Sequence, residues 1–236
     1  MPIRGLLFDK DGTIVDYWRT WLPVNREAAL HAARGDAALA AELMRLGGHD
    51  PETDCILPGA ALAAGDFMDI ARAFAAHPGV APAAELVADI ERIFVEGGAR
   101  HSTLIDGAHA TIVELHARGL RLGIATNDSV AGLEASLAPH GLLPLFEFAA
   151  GADSGHGSKP GPGMALAFCA ATGLLPEDVA VIGDAAHDLA MGRAAGVGLN
   201  VGVLSGTSGR EDLAGLADVV LRDVTELPGR GELGAA

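Results

Sequence analysis

Beyond about residue 104 the chain alternates short apolar runs with stretches of helical spacing, and that alternation narrows the fold more than any other feature. A helix over about 108–118 closes at Gly119, a residue suited to the position just past a helix end. The run "LRLGIAT" (120–126) follows, then a helix near 129–138, then "FEFAAG" (146–151), then a helix near 162–172. "DVAVIGD" (178–184) is the clearest strand, and it leads into "AAHDLAMGRAAG" (185–196), a helix ended by Gly196. "VGLNVG" (197–202) and "ADVVLRD" (217–223) read as two further strands. Strands alternating with helices predict right-handed βαβ units and a mostly parallel, doubly wound sheet with helices on both faces.

The segment "IRGLLFD" (3–9) is short, apolar and bounded by turn signals, so it reads as another buried strand of the same set. Between 17 and 101 the rhythm differs. Leu39, Leu43 and Leu46 recur at helical spacing, as do Phe67, Ile70, Ala71 and Phe74, and Leu86, Ile90, Ile93 and Phe94. Loops over 47–59 and 77–82 separate these helices, and no convincing strand lies among them. The predicted organisation is an α/β core of residues 1–15 and 104–236 with an inserted all-helical domain over 16–103. The tail "PGRGELGAA" is predicted to fray.

With 236 residues, half of them hydrophobic, the chain can bury a large core and is not disordered. No apolar run reaches the roughly 18 residues of a membrane span, and the N-terminus enters a strand without a signal-peptide pattern. Cys55 and Cys169 lack CxxC partners and read as free thiols of a cytoplasmic protein. A formal charge of −15 repels nucleic acid and anionic membranes. It permits a small anionic ligand if local cations reverse the field at one place. Lysines are scarce: Lys10 and Lys159 are the two in the chain.

In open α/β sheets ligands bind outside the carboxyl ends of the strands. After the first strand come Asp9, Asp11 and Thr13; after the second, Thr126, Asn127 and Asp128; in a loop after the third, Ser158, Lys159 and Pro160; after the fourth, Asp184 and Asp188. Each group alone has a plain reading. Asp9 and Asp11 suit a turn, Thr126 to Asp128 a helix cap, Lys159 a solvated loop, and Asp184 and Asp188 a cap and an exposed helix position. Together they bring hydroxyls, an amide, a lysine and several carboxylates to one edge in a fixed order.

"DKDGT", "ATND", "SKPGP" and "GDAAHD" resemble, in that order, the four motifs of the haloacid dehalogenase superfamily of phosphohydrolases. The resemblance covers the α/β portion from residue 3 to about 223. The helical insertion is similar to the all-α cap of its phosphoglycolate phosphatase and β-phosphoglucomutase branch. This implies Mg²⁺ bound by the side chains of Asp9 and Asp184 and the main-chain carbonyl of Asp11, with Asp188 nearby or an occasional ligand. It implies Asp9 as the nucleophile that forms an aspartyl-phosphate. Thr126, the Asn127 amide and Lys159 would hold the phosphoryl oxygens, and Asp11 would serve as general acid and then base. Gly12 would allow the tight exit turn, and Thr13 would steady it with a hydrogen bond.

Some residues depart from the common pattern. Ala185 stands where Ser or Thr is frequent. Tyr17 occupies a hinge position usually small. Lys10 lies between the two acids where an apolar residue is common, and strand alternation points it away from them. "GRGELG" (229–234) matches GxGxxG without room for a following helix, and "GHGSK" (155–159) lacks the P-loop order. "DKDGTIVD" places its glycine too early for an EF-hand. His109 and His116, seven apart, read as a solvated face rather than a zinc site. Trp18 and Trp21 read as packing of the insertion beside Arg19 and Arg26. Arg100 and His101 are candidates for a substrate carboxylate.

Three functions compete. The first is hydrolysis of a small phosphomonoester, with phosphoglycolate leading. The second is a phosphomutase of the same branch. The third is a phosphate-binding protein without turnover. The lack of any lysine in the insertion disfavours a Schiff-base phosphonatase, and the retained Asp11 disfavours a halide-displacing dehalogenase. The expected partner is a small phosphorylated metabolite, with no nucleic acid and no membrane, acting on a monomer or homodimer.

Overall fold

The computed structural model describes residues 2–231. β1 (Gly5–Phe8) leads through α1 (Tyr17–Ala32), α2 (Ala37–Leu46), the two-residue strands β2 (His49–Asp50) and β3 (Cys55–Ile56), α3 (Ala61–Ala64), α4 (Phe67–Ala75) and α5 (Ala83–His101). The chain continues as α6 (Ala108–Ala117), β4 (Arg121–Ala125), α7 (Val130–Leu137), β5 (Phe148–Ala150), α8 (Gly163–Thr172) and β6 (Val179–Gly183). It ends with α9 (Ala186–Ala195), β7 (Leu199–Val203), α10 (Arg210–Leu213) and β8 (Val219–Leu221).

Six strands form one parallel sheet in the order β5-β4-β1-β6-β7-β8. Alternation along each strand loads both faces. Leu6, Phe8, Leu122, Ile124, Ala180 and Ile182 pack with α6 and α7, whereas Leu7, Ala125, Val179 and Val181 pack with α8 and α9. This is the doubly wound sheet expected from the alternating runs. β1 lies between β4 and β6, so the connections diverge on its two sides and open a crevice at its carboxyl end.

The helices of the insertion gather an apolar cluster of their own, from Tyr17 to Phe94. Asp16 caps α1 through the Arg19 N–H, and Asp66 and Asp69 cap α4 reciprocally. Contrary to the sequence expectation, the insertion is not purely helical. β2 and β3 pair antiparallel, His49 opposite Ile56 and Asp50 opposite Cys55. Two residues per strand give too little alternation to register as a pattern. The outgoing and returning chains cross side by side. Val15 bridges Leu104, and Asp16 N–H donates to the Thr103 carbonyl at 2.8 Å.

No helix among the described residues is long and apolar enough to cross a membrane. Cys55 is exposed, Cys169 buried, and both are free. Of the tail predicted to fray, Pro228 and Gly229 close a 3₁₀ turn, while residues 232–236 lie outside the described residues.

Candidate active site

The chain leaves β1 at Asp9, whose N–H donates to the Ile182 carbonyl of β6 at 2.8 Å. The Lys159 ammonium crosses from the loop before α8 and donates to Asp9 Oδ1 and Asp188 Oδ1, each at 2.6 Å. Asp188 sits in the first turn of α9, and its Oδ2 accepts from the Ala185 N–H at 3.0 Å. Asp184, at the end of β6, accepts from the Thr207 N–H at 2.9 Å. Asp9, Asp184, Asp188 and Lys159 are all buried.

Three buried carboxylates thus face one ammonium. Burial pushes Asp188 up, but Lys159 and His187 outweigh it and hold Asp188 below the usual carboxylate range. Asp9 and Asp184 are left in surplus. Burial, then the neighbouring carboxylates, raise Asp9 to about 7 and Asp184 well above its ordinary value. Burial works against the Lys159 charge, but Asp188 and Asp9 prevail and raise it.

Asn127 holds this lysine by its backbone: its Oδ1 accepts from the Lys159 N–H at 2.8 Å and its Nδ2 donates to the Lys159 carbonyl at 3.3 Å. The Thr126 hydroxyl accepts from the Asp128 N–H at 3.1 Å. Asp9, Asp11, Thr126, Asn127 and Asp184 line one cavity, walled on the insertion side by Tyr17, Trp21, Phe67, Ile70 and Phe94. The Tyr17 hydroxyl donates to the Leu62 carbonyl at 2.7 Å and accepts from Asn25 Nδ2 at 3.2 Å, so it ties the entry of the insertion to its own wall. The cavity volume is about 80 Å³, below the roughly 300 Å³ and upward of drug-sized sites. Its size suits a small ligand.

A family model described as haloacid dehalogenase-like hydrolase matches residues 3–196. The chain belongs to this family. Phosphoglycolate phosphatase of Cereibacter sphaeroides is 34% identical over 197 residues, covering 82% of each chain. N-acetylmuramic acid 6-phosphate phosphatase of Pseudomonas putida is 28% identical over 196 residues, covering 83% of this chain and 81% of that one. Among solved structures, a predicted phosphoglycolate phosphatase from Haemophilus somnus superposes with a TM-score of 0.75 at 19% identity, covering 96% of this chain and 97% of that chain, and shows the shared fold.

In this hydrolase, oxygens of Asp9, Asp184 and Asp188 lie within 4.8 Å of one another. Hard oxygen donors in surplus over their one cation suit a divalent metal. The Asp11 carboxylate is not part of that triple. A consequence follows for stability. Asp9 rises from 3.8 to about 7 on folding, so the metal-free fold holds a proton that the unfolded chain gives up in that window. Its stability contribution is complete below the lower value and is lost as pH rises through the upper one. A divalent cation should therefore raise the melting temperature more at pH 8 than at pH 5, where a proton occupies the site. An equal or larger rise at pH 5, in calorimetric scans, would contradict this.

Several residues were placed differently by the sequence. Lys10 does not point away from the acids. β1 ends at Phe8, so strand alternation no longer governs Lys10, and its fully buried ammonium lies 3.0 Å from Asp11 Oδ2 and 2.7 Å from Asp128 Oδ2. Trp21 is more than packing, since its Nε1 donates to Asp11 Oδ1 at 2.5 Å. Thr13 does not steady the exit turn: its hydroxyl is buried without a partner, and main-chain bonds from Gly12, Ile14 and Val15 close the turn instead. Arg100 pairs with Glu27 at 2.7 Å, and neither it nor His101 lines the cavity. His109 and His116 are exposed. His187, unremarked in the sequence, lines the cavity 3.4 Å from Asp188, and burial lowers its basicity.

The loop after β7, without a motif in the sequence, also belongs to the site. Ser205 Oγ donates to the Gly12 carbonyl at 2.6 Å, and Thr207 holds Asp184. A Cβ on Gly206 would lie 1.8 Å from Asp184 Oδ2. The signal was available: "SGTSG" (205–209) is a Gly/Ser cluster at a strand's carboxyl end. Gly206→Ala should displace Asp184 and weaken divalent-cation binding by at least about tenfold in titration calorimetry. Unchanged affinity would show that Asp184 does not touch the metal.

Proposed function

We propose that this hydrolase cleaves a small phosphomonoester through an aspartyl-phosphate on Asp9, with residues 1–15 and 104–236 as the catalytic core and 16–103 as its cap. Phosphoglycolate is the leading substrate, by likeness to the Cereibacter sphaeroides enzyme. The observation that carries the reading is a buried carboxylate, paired with a lysine at the carboxyl edge of the sheet, facing a cavity walled on one side by the insertion.

Lys159 engages Asp9 through Oδ1, which leaves Oδ2 for the proposed attack on phosphorus. The ester P–O bond breaks with its electron pair on the leaving oxygen, and Asp11 protonates that oxygen. Asp11 then takes a proton from water as the water attacks phosphorus, releasing phosphate and restoring the Asp9 carboxylate. Thr126 and the main-chain N–H of Asn127 would hold the phosphoryl oxygens, while the Asn127 side chain, committed to Lys159, positions the lysine. Asp9, Asp184 and the Asp11 carbonyl would hold Mg²⁺, with Asp188 beside them. When bound, the metal supplies charge neutralisation at the phosphoryl oxygens. The cap excludes bulk water during this sequence. A cytoplasmic location and a monomeric or dimeric state complete the proposal.

The test is phosphate release from a panel of phosphorylated metabolites, with Mg²⁺ and with EDTA. Mg²⁺-dependent release, greatest with phosphoglycolate, is expected. Isomerised sugar phosphate without net release would replace hydrolase by mutase, and no turnover of any member would leave a phosphate-binding protein.

A further inference from the structure

Asp11 is held at both oxygens, by two side chains from different parts of the molecule. Lys10 lies 3.0 Å from Oδ2 and Trp21 Nε1 lies 2.5 Å from Oδ1. Lys10 is itself fixed by Asp128 at 2.7 Å and Ser136 Oγ at 3.2 Å, and its ammonium stands 4.7 Å from the Trp21 ring centroid. Trp21 is stacked on Phe94 at 5.6 Å between centroids and 19° between planes. Lys10 follows β1, whereas Trp21 belongs to α1 of the insertion.

A carboxylate anchored at both oxygens cannot swing towards the Asp9, Asp184 and Asp188 cluster, so it stays off any cation there. Its side chain retains 23% exposure, and Asp11 lines the cavity in which a leaving oxygen would lie. Resting on the phosphatase reading, we propose that Lys10 and Trp21 form a two-point clamp that positions Asp11 for proton transfer, the Trp21 arm engaging only while the insertion is seated on the sheet edge. Both are positioning residues, acting through Asp11.

A clamp on the acid differs from packing in its dependence on the leaving group. p-Nitrophenolate departs without a proton; an alkoxide does not. Trp21→Phe keeps the ring on Phe94 and beside Lys10 and removes the N–H donor. For an alkyl phosphate of the panel, kcat/KM, which reports the steps up to formation of the aspartyl-phosphate, should fall about 10- to 100-fold, the rate equivalent of one hydrogen bond to a charged acceptor. The kcat/KM of p-nitrophenyl phosphate should fall far less, while hydrolysis of the shared aspartyl-phosphate slows alike for both esters. Lys10→Met should show the same selectivity. Because it strands two partly buried carboxylates, the double variant Lys10→Met/Asp128→Asn serves if the single one does not fold. An equal loss of kcat/KM on both esters would overturn the clamp while the phosphatase reading stood. Wild-type protein that turns over no ester, or an Asp9→Asn variant as active as wild type, would instead sink that reading and the clamp with it.

Discussion

Asp9→Asn is expected to lower phosphate release by on the order of 10⁴-fold or more, as loss of a covalent nucleophile does, while the protein remains folded. Asparagine has nearly the same shape and can still accept from Lys159 through its carbonyl oxygen. Its amide does not attack phosphorus. It also removes one of three crowded carboxylates that share one ammonium, so the metal-free variant should melt higher than wild type at pH 8, where Asp9 is ionised. Retained activity within tenfold would assign the attack to water or to another residue. A lower metal-free melting temperature at pH 8 would show that the carboxylates are not in surplus.

The second large effect concerns Lys159. Lys159→Met strands Asp9 and Asp188, buried, each having lost a 2.6 Å partner. Breaking one partner out of a buried ion pair costs about 3–5 kcal/mol, so urea unfolding at neutral pH should show a loss of that order. Activity should fall at least about 100-fold through loss of an oriented cation at the reacting charge. The loop itself should stay in place, because Asn127 grips the Lys159 main chain. Adding Asp188→Asn to the variant should restore much of the stability and none of the activity. Recovery of both would make Lys159 a structural neutraliser and no more.

These groups were legible in the sequence for a physical reason. Asp9, Lys159 and Asp184 each follow an apolar run or sit in a loop between such runs, and a parallel sheet delivers such loops to one edge. The strands were equally plain, since "DVAVIGD" and "LRLGIAT" are apolar on both faces and their flanking helices end at glycines such as Gly196, φ 74°. What the sequence did not disclose depends on contacts between distant segments. Lys10 reaches Asp128 across 118 positions, and Ser205 reaches Gly12 across 193. Neither contact leaves a periodic trace. The same holds for Trp21, whose helical spacing marks it as core while one edge of its ring carries a donor to Asp11. Thr13 was misjudged because a hydroxyl beside a tight turn suggests a cap, whereas here main-chain groups already complete it.

The covalent step can be caught chemically. Borohydride reduces an acyl phosphate to an alcohol, which converts a phosphorylated aspartate to homoserine. Protein quenched during steady-state turnover, reduced and digested should yield homoserine at position 9 by peptide mass spectrometry, absent without substrate. Homoserine at another aspartate, or none while phosphate is being released, would contradict nucleophilic attack by Asp9.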